Sequence, residues 1–525
     1  MKKLTSGVNN RARTRTAIAA GLISFGMLAL MPQAVASVIA VRGFEGTSQL
    51  DNCALGGCFR PPDTMGAVGT TQFVETSNGS VTVYNKADGS VLSRVGMNSF
   101  WTAAGQGASG GDQRILFDHY TNRWIAIGFG ATNNVINIGV SVTADALGPW
   151  KSTALVGPAG TTLDYPTLGM DNKGVYIGTN NFNSSSNFVG NYLITIPKSS
   201  LFGGVTPLST DRTVFITPYT PGTNDRGFAI QAAVKWDGNA TNSASVIADS
   251  RDQNAQIFYK LNGVDGPGAT QGAATIIAGS QYTNAANPAR QPDGTRTVDT
   301  LSPRISANSV QVGDKLYSVA TIQSAVGDYS DIRWTVVDAN TGVLLSSGKI
   351  DEGNFDYFEG SIAVNELGEA VIGYNRSGFQ MGDLNGDGKD DGNISFLTRA
   401  FTVGATGGLT QDGIETILRV SDVSNYHCTT PVTTPPTAPC RERWGDFSAV
   451  TIDPTDHNKF WAIGEYADDQ AIIPGFTTTP RSIWHTYIAE ITTGQVPGQV
   501  PEPSTYALMF LGLALVAGTR RRKAS

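Results

Sequence analysis

Between residues 40 and 495 no long stretch spaces its apolar residues at the 3.6-residue period of a surface helix. Short alternating or β-branched runs stand there instead: SVTVY at 80–84, WIAIGF at 124–129, VINIGVSV at 135–142, GVYIG at 174–178 and YLITI at 192–196. KLYSVATI at 315–322, IRWTVV at 332–337, AVIGY at 370–374 and FWAI at 460–463 follow. Each is bounded by Gly, Asn, Asp or Pro, and Asp88-Gly89 and Asn172-Lys173-Gly174 read as hairpin turns. The chain is predicted to be all-β. Its 61 glycines and 24 prolines serve the turns, and a hydrophobic content of 40% suffices for a core.

The strands recur in a loose unit. A polar start leads into a small-residue strand, then a turn, then a strand with an aromatic. The openings read PDTMGAV (62–68), DQRILFD (112–118), DYPTLGMD (164–171), SPRIS (302–306), FEGSIAV (358–364) and WGDFSAV (444–450), with a fainter copy at 228–236. Seven units of this size suit a single β-propeller over 61–495; a pair of β-sandwiches is the competing architecture. In a propeller the opening strands line a central channel. Asp63, Arg114, Asp164, Arg304, Glu359 and Asp446 then face one axis. Arginines beside carboxylates there suit a sugar acid or polar glycan, or they close the channel by pairing with one another. If the protein is an enzyme, Glu359 and Asp446 with Arg114 and Arg304 are the catalytic candidates, because paired carboxylates can hydrolyse glycosides.

The formal charge is −7, and it hides an acidic body. Nine basic residues sit at the two ends: Lys2, Lys3, Arg11, Arg13 and Arg15, and Arg520, Arg521, Arg522 and Lys523. Without them 28 basic residues face 44 acidic ones, which excludes nucleic acid as a partner. The N-terminal bases precede an apolar stretch and a small-x-small site, so residues 1–36 read as a signal peptide cut between Ala36 and Ser37. The other end runs Val500-Pro501-Glu502-Pro503, then an apolar helix over 506–518, then the arginines. This three-part tail, assigned to 496–525, resembles the PEP-CTERM sorting signal handled by exosortases in Gram-negative bacteria that make exopolysaccharide. The resemblance implies transient inner-membrane anchoring and delivery to the cell surface or extracellular matrix.

Export suits the four cysteines. Local pairing of Cys53 with Cys58 and of Cys428 with Cys440 is the economical connectivity, with residues 37–60 as an N-terminal disulfide segment. The sharpest short motif is DLNGDGKDD at 383–391. Asp383, Asn385, Asp387 and Asp391 with the Lys389 carbonyl supply oxygens at calcium-loop spacing, and Gly388 permits the sharp turn. Ile394 replaces the closing glutamate of a full EF-hand, and the loop resembles those of integrin-type propellers and dockerins. Structural Ca2+ is expected.

PPDTMGAVGTTQFV (61–74), DYPTLGMD (164–171), EGSIAVNELGEAVIGY (359–374) and RWGDFSAVTIDPTD (443–456) resemble a family of secreted bacterial propellers defined by architecture rather than by a reaction. Sialidase-like enzymes share that general fold, but their repeated Asp-box turn is absent. Three Arg-Trp pairs (Arg123-Trp124, Arg333-Trp334, Arg443-Trp444) read first as packing and second as sugar platforms. GASGG at 107–111 matches a nucleophile elbow only in spacing. The sequence points to a surface-sorted propeller that binds polysaccharide or another surface protein; the alternative is a secreted glycoside hydrolase or lyase.

Overall fold

The structure is a computed structural model. It describes residues 38–203, 211–238, 243–423 except 284, 295, 326 and 385, and 442–493 except 474–476 and 478–479. The signal peptide with Ala36 and Ser37, the Cys428–Cys440 loop, Asn385, and the tail with Val500, Pro501, Glu502, Pro503, Arg520, Arg521 and Arg522 lie outside the described residues.

The described residues are 54% strand and 4% helix, arranged as a propeller-like ring of sheets. Four consecutive strands, Met65–Val68, Gln72–Ser77, Ser80–Asn85 and Val91–Gly96, form the first antiparallel meander. Gly111–Asp118 to Trp150–Val156 form the second, and Asp356–Val364 to Leu409–Val420 a third of the same kind. A nine-stranded sheet contains two further meanders, Thr162–Met170 to Thr213–Pro218 and Val310–Val312 to Leu344–Ile350, fused through the short parallel strand Val234–Lys235. Between them Phe228–Ala232 opens a separate five-stranded sheet. The opening strands touch in ring order. Met65–Val68 meets Gly111–Asp118, then Thr162–Met170, then Phe228–Ala232; at the far side Asp356–Val364 meets Ala449–Ile452, which returns to Met65–Val68.

Burial explains why these runs read as they do. Inner and middle strands have a sheet on both faces, so Arg123–Phe129 and Asp356–Val364 are buried nearly throughout. Outer strands show one face to water, and Thr213–Pro218 alternates. Trp101, Trp124 and Trp461 are fully buried in one cluster between neighbouring sheets. The strands Thr162–Met170 and Phe228–Ala232 approach so closely that a Cβ on Gly169 would lie 2.1 Å from the Ala232 carbonyl oxygen.

Two expectations are corrected. Residues 37–60 are not a separate segment. Val38–Ser48 pairs antiparallel with Arg481–Thr493 and completes the four-stranded sheet that contains Lys459–Ala471 and Ala449–Ile452. Its apolar start is not a core run, because Ile39 and Val41 are exposed. A capping box between Ser48 and Asp51 then starts the short helix Gln49–Ala54, which brings Cys53 to its disulfide with Cys58. The opening at 302–306 is not a strand, because Pro303 has no amide to give a ladder; the sheet begins at Val310–Val312.

Candidate functional site: the mouth of the channel

Six of the seven openings share one backbone feature. Asp63, Asp112, Tyr165, Ala229, Leu301 and Glu359 all adopt positive φ between 47° and 55°. Non-glycine residues rarely do so, and only two others among the described residues share it. Four of the six fall inside a register break: Gly111/Arg114, Asp164/Thr167, Phe228/Gln231 and Phe358/Ser361. A bulge re-aims the side chains next to it, and these bulges ring one end of the channel.

Three of the four bulges are latched by the preceding unit. The Asp112 amide donates to Asn78 Oδ1 at 2.8 Å, the Ala229 amide to Asn180 Oδ1 at 2.9 Å, and the Glu359 amide to Thr321 Oγ1 at 3.2 Å. Where the ring closes, the Asp446 amide donates to Asp63 Oδ1 at 2.8 Å. Asn78 also donates to Asp63 Oδ2 and to the Pro61 carbonyl. The backbone strain is thus distributed around the site and held by side chains that sequence reasoning overlooked.

The expected channel residues separate into layers. At the rim, Asp112, Asp164 and Arg304 are half-buried and Arg443 is exposed. Beneath them Asp63, Asp446 and Glu359 are buried, joined by Glu465. Gly445 makes room for this: a Cβ there would lie 3.2 Å from Glu465 Oε2 and 3.6 Å from Glu359 Oε2. The Oε1 atoms of both glutamates have no hydrogen-bond partner among the described residues. Burial, reinforced by Asp446 and Asp112, raises the Asp63 carboxyl well above its ordinary range. Burial with Asp446 and Asp164 pushes Asp112 up to about 7. Burial raises Asp164, with Asp446 adding to it, and raises Glu359 with help from Glu465 and Asp446. Glu465 rises through burial and Asp63. Burial lowers Arg443, but Asp446, Asp63 and Asp112 outweigh it and leave the guanidinium above its usual range.

Arg114 does not join this rim. It is fully buried below it, where burial lowers its pKa to about 10. Nε donates to the Pro166 carbonyl at 2.9 Å, and the guanidinium lies 3.5 Å over the Phe447 ring. Tyr165 packs edge-on against Phe447 at 5.2 Å and shares its hydroxyl between the Ile305 and Asp446 carbonyls. This layer separates the polar mouth from an apolar far end, where a cavity of about 20 Å³ is lined by Leu116, Met170, Val234, Trp236 and Ile452. That volume holds about one water.

Other candidates resolve simply. Trp124, Trp334 and Trp444 are buried, so the Arg-Trp pairs pack. Ser109 Oγ donates to the Phe129 carbonyl and has no nucleophile's setting. In the 383–391 loop the Asp383 carboxylate accepts the amides of Gly386, Asp387 and Gly388, and Asp391 accepts that of Leu384. Asp387 accepts the Lys389 amide, and the Lys389 ammonium reaches Asp422. The loop therefore bends at Gly386 and Gly388, both at positive φ, with two carboxylates turned inward. No group of three His, Cys, Asp or Glu among the described residues is already set as a metal cage.

Fold and mouth together define an all-β, propeller-like ring with a carboxylate-rich channel opening. The chain carries the PEP-CTERM protein-sorting motif, matched over residues 499–523, as the tail's three parts imply. The motif implies recognition by an exosortase, export through the membrane and surface sorting in a Gram-negative bacterium. No curated protein matches the chain. Among solved structures it is similar to a protein of unknown function from Dyadobacter fermentans, at 8% identity over 86% of this chain and 99% of that one, with a TM-score of 0.37. It is also similar to the β-propeller domain of Nup133 from Vanderwaltozyma polyspora (8%, 81% and 93%, 0.38) and to the WD40 domain of SCAP from fission yeast (10%, 88% and 98%, 0.33). No residue role transfers from them.

Proposed function

We propose that the ring is a seven-bladed propeller that acts as a non-catalytic binding protein of the cell surface or exopolysaccharide matrix. Its ligand, an extracellular polysaccharide or another surface protein, docks at the channel mouth. The observation that carries this reading is the layering. Half-buried Asp112, Asp164 and Arg304 with exposed Arg443 offer polar contacts to solvent, while the carboxylates beneath them are too enclosed to meet a scissile bond. Counting the nine-stranded sheet as two blades, and the Val38–Ser48 sheet as one closed by the N-terminal strand, supports seven.

The sorting tail is removed after transient anchoring in the inner membrane, and Ca2+ held by Asp383, Asn385, Asp387, Asp391 and the Lys389 carbonyl pins the long loop. A glycan array paired with a hydrolysis screen tests the reading. The expected result is retention of a polar glycan, weakened by Asp112→Asn or Asp164→Asn, without turnover. Turnover that Glu359→Gln or Asp446→Asn abolishes would replace it with a carbohydrate-active enzyme.

A further inference from the structure

Beside the mouth lies an aromatic patch that the channel chemistry does not use. Phe228 immediately precedes the Ala229 bulge. Its ring meets Phe188 at 5.3 Å and Phe182 at 6.3 Å, both edge-on, and Phe188 meets Tyr219 at 5.4 Å. All four rings are half-buried, so each keeps part of its surface in water.

Two guanidiniums address the same ring. Arg251 Cζ lies 4.9 Å and Arg304 Cζ 5.3 Å from the Phe228 centroid. Arg251 also lies 5.4 Å from Phe188, and Arg304 lies 5.2 Å from Tyr165 of the channel. Arg304 thus bridges patch and mouth.

Neither guanidinium makes a hydrogen bond or a close ion pair among the described residues. The carboxylates flanking Arg251 are committed elsewhere. Asp225 accepts Ser250 Oγ at 2.6 Å and the amides of Gly227, Arg251 and Asp252. Asp252 accepts the Tyr219 hydroxyl at 2.7 Å and the Gly222 amide at 2.8 Å. Asp164 and Asp249 are the acids that feel Arg304, and burial raises both carboxyls. Two planar donor forks over an aromatic floor, neither bonded to a carboxylate among the described residues, complement a planar anion attached to an apolar face.

We propose that Arg251 and Arg304, with Phe182, Phe188, Tyr219 and Phe228, form a subsite for a carboxylate-bearing saccharide. The rings receive the C–H face of a pyranose and the guanidiniums receive its carboxylate. This rests on the reading of the mouth as a ligand site and names the ligand class.

Titration calorimetry of the full chain with oligogalacturonate, a matched neutral galacto-oligosaccharide and inorganic sulfate tests it. The uronate oligomer binds, and Arg251→Gln or Arg304→Gln each weakens it about 10-fold or more, the loss expected of a charge-assisted hydrogen bond. Phe188→Leu weakens the saccharide and leaves sulfate unchanged. Arg251 is exposed, so an unchanged thermal midpoint certifies that its variant folds. Equal binding of the neutral oligomer, or indifference to both arginine variants, overturns the proposal. Sulfate binding as tightly as the uronate, with Phe188→Leu silent, overturns its saccharide part. If the neutral glycan alone binds and Asp112→Asn weakens it, the mouth reading survives and this subsite falls. If no glycan binds, this subsite falls, and with it the polysaccharide form of the mouth reading.

Discussion

Replacing Asn78 with alanine removes more side-chain hydrogen bonding, one bond of it between units, than any other single latch change described above. Three side-chain bonds disappear at once: the acceptor for the Asp112 amide, the donor to the Pro61 carbonyl and the donor to Asp63. Two neutral bonds at about 1 kcal/mol each, and a carboxyl bond at about 2 kcal/mol, total about 4 kcal/mol. Asn180→Ala is the internal control. Its Oδ1 accepts only the Ala229 amide, and its Nδ2 has no partner among the described residues, so the loss is about 1–2 kcal/mol. Urea unfolding at neutral pH, with the denaturant slope unchanged, reads both values. Asn78→Asp sharpens the test: it cannot donate to Asp63 and adds a negative charge beside a carboxyl already raised by burial and its acidic neighbours. That variant regains stability as pH falls. An Asn78→Ala cost within about 1 kcal/mol, or one no larger than that of Asn180→Ala, refutes the idea that the bulges are held from the preceding blade.

Two more outcomes follow from the same chemistry. Burial holds Asp112 up at about 7 and Asp249 at about 8 in the folded protein, against an ordinary 3.8, so the folded chain binds more protons than the unfolded one in between. Their contribution to stability is complete below about pH 4 and disappears as pH rises through 7 to 8, so the stability gained by Asp112→Asn or Asp249→Asn over the parent grows across that window; a difference flat with pH in denaturation midpoints contradicts it. Chelation with EGTA lowers the melting temperature, and Asp387→Ala abolishes the response; a parent protein indifferent to chelator means that the loop closes on its own amides alone.

What the sequence made legible follows from which faces are covered. Strands with a neighbouring sheet on each side must be apolar throughout, so WIAIGF and VINIGVSV announce themselves, and the small residues of the opening strands mark the crowded axis. The latches stayed hidden because each joins residues far apart. Asn78 meets Asp112 34 positions on, Asn180 meets Ala229 49 on, and Asp63 meets Asp446 383 on. Nothing in a single Asn within SNG or TNN separates a latch from an ordinary turn. Arg114 misleads for a different reason. It stands in an opening strand like the rim residues, but it lies beyond the bulge, and the re-aimed backbone carries it down onto Phe447. Val38–Ser48 escaped because its only partner strand, Arg481–Thr493, lies at the other end of the sequence, and no local hairpin announces the pairing.

That closing strand sets the order of events during export. Val38, the first described residue, pairs with Thr493, and the sorting motif begins at residue 499. A chain threaded through the membrane from its N-terminus delivers Val38–Ser48 first and its partner Arg481–Thr493 last. Until that partner arrives, Val38–Ser48 and Lys459–Ala471 both present unpaired edges, the surfaces most prone to wrong association. Pairing across so many intervening residues is also intrinsically slow. Under the transient anchoring proposed above, a tail held in the bilayer soon after the last strand would keep that strand close to the membrane and away from neighbouring chains while the clasp closes. On the proposed reading, the sorting signal would serve as a tether for maturation, and its removal would release a ring that has already shut.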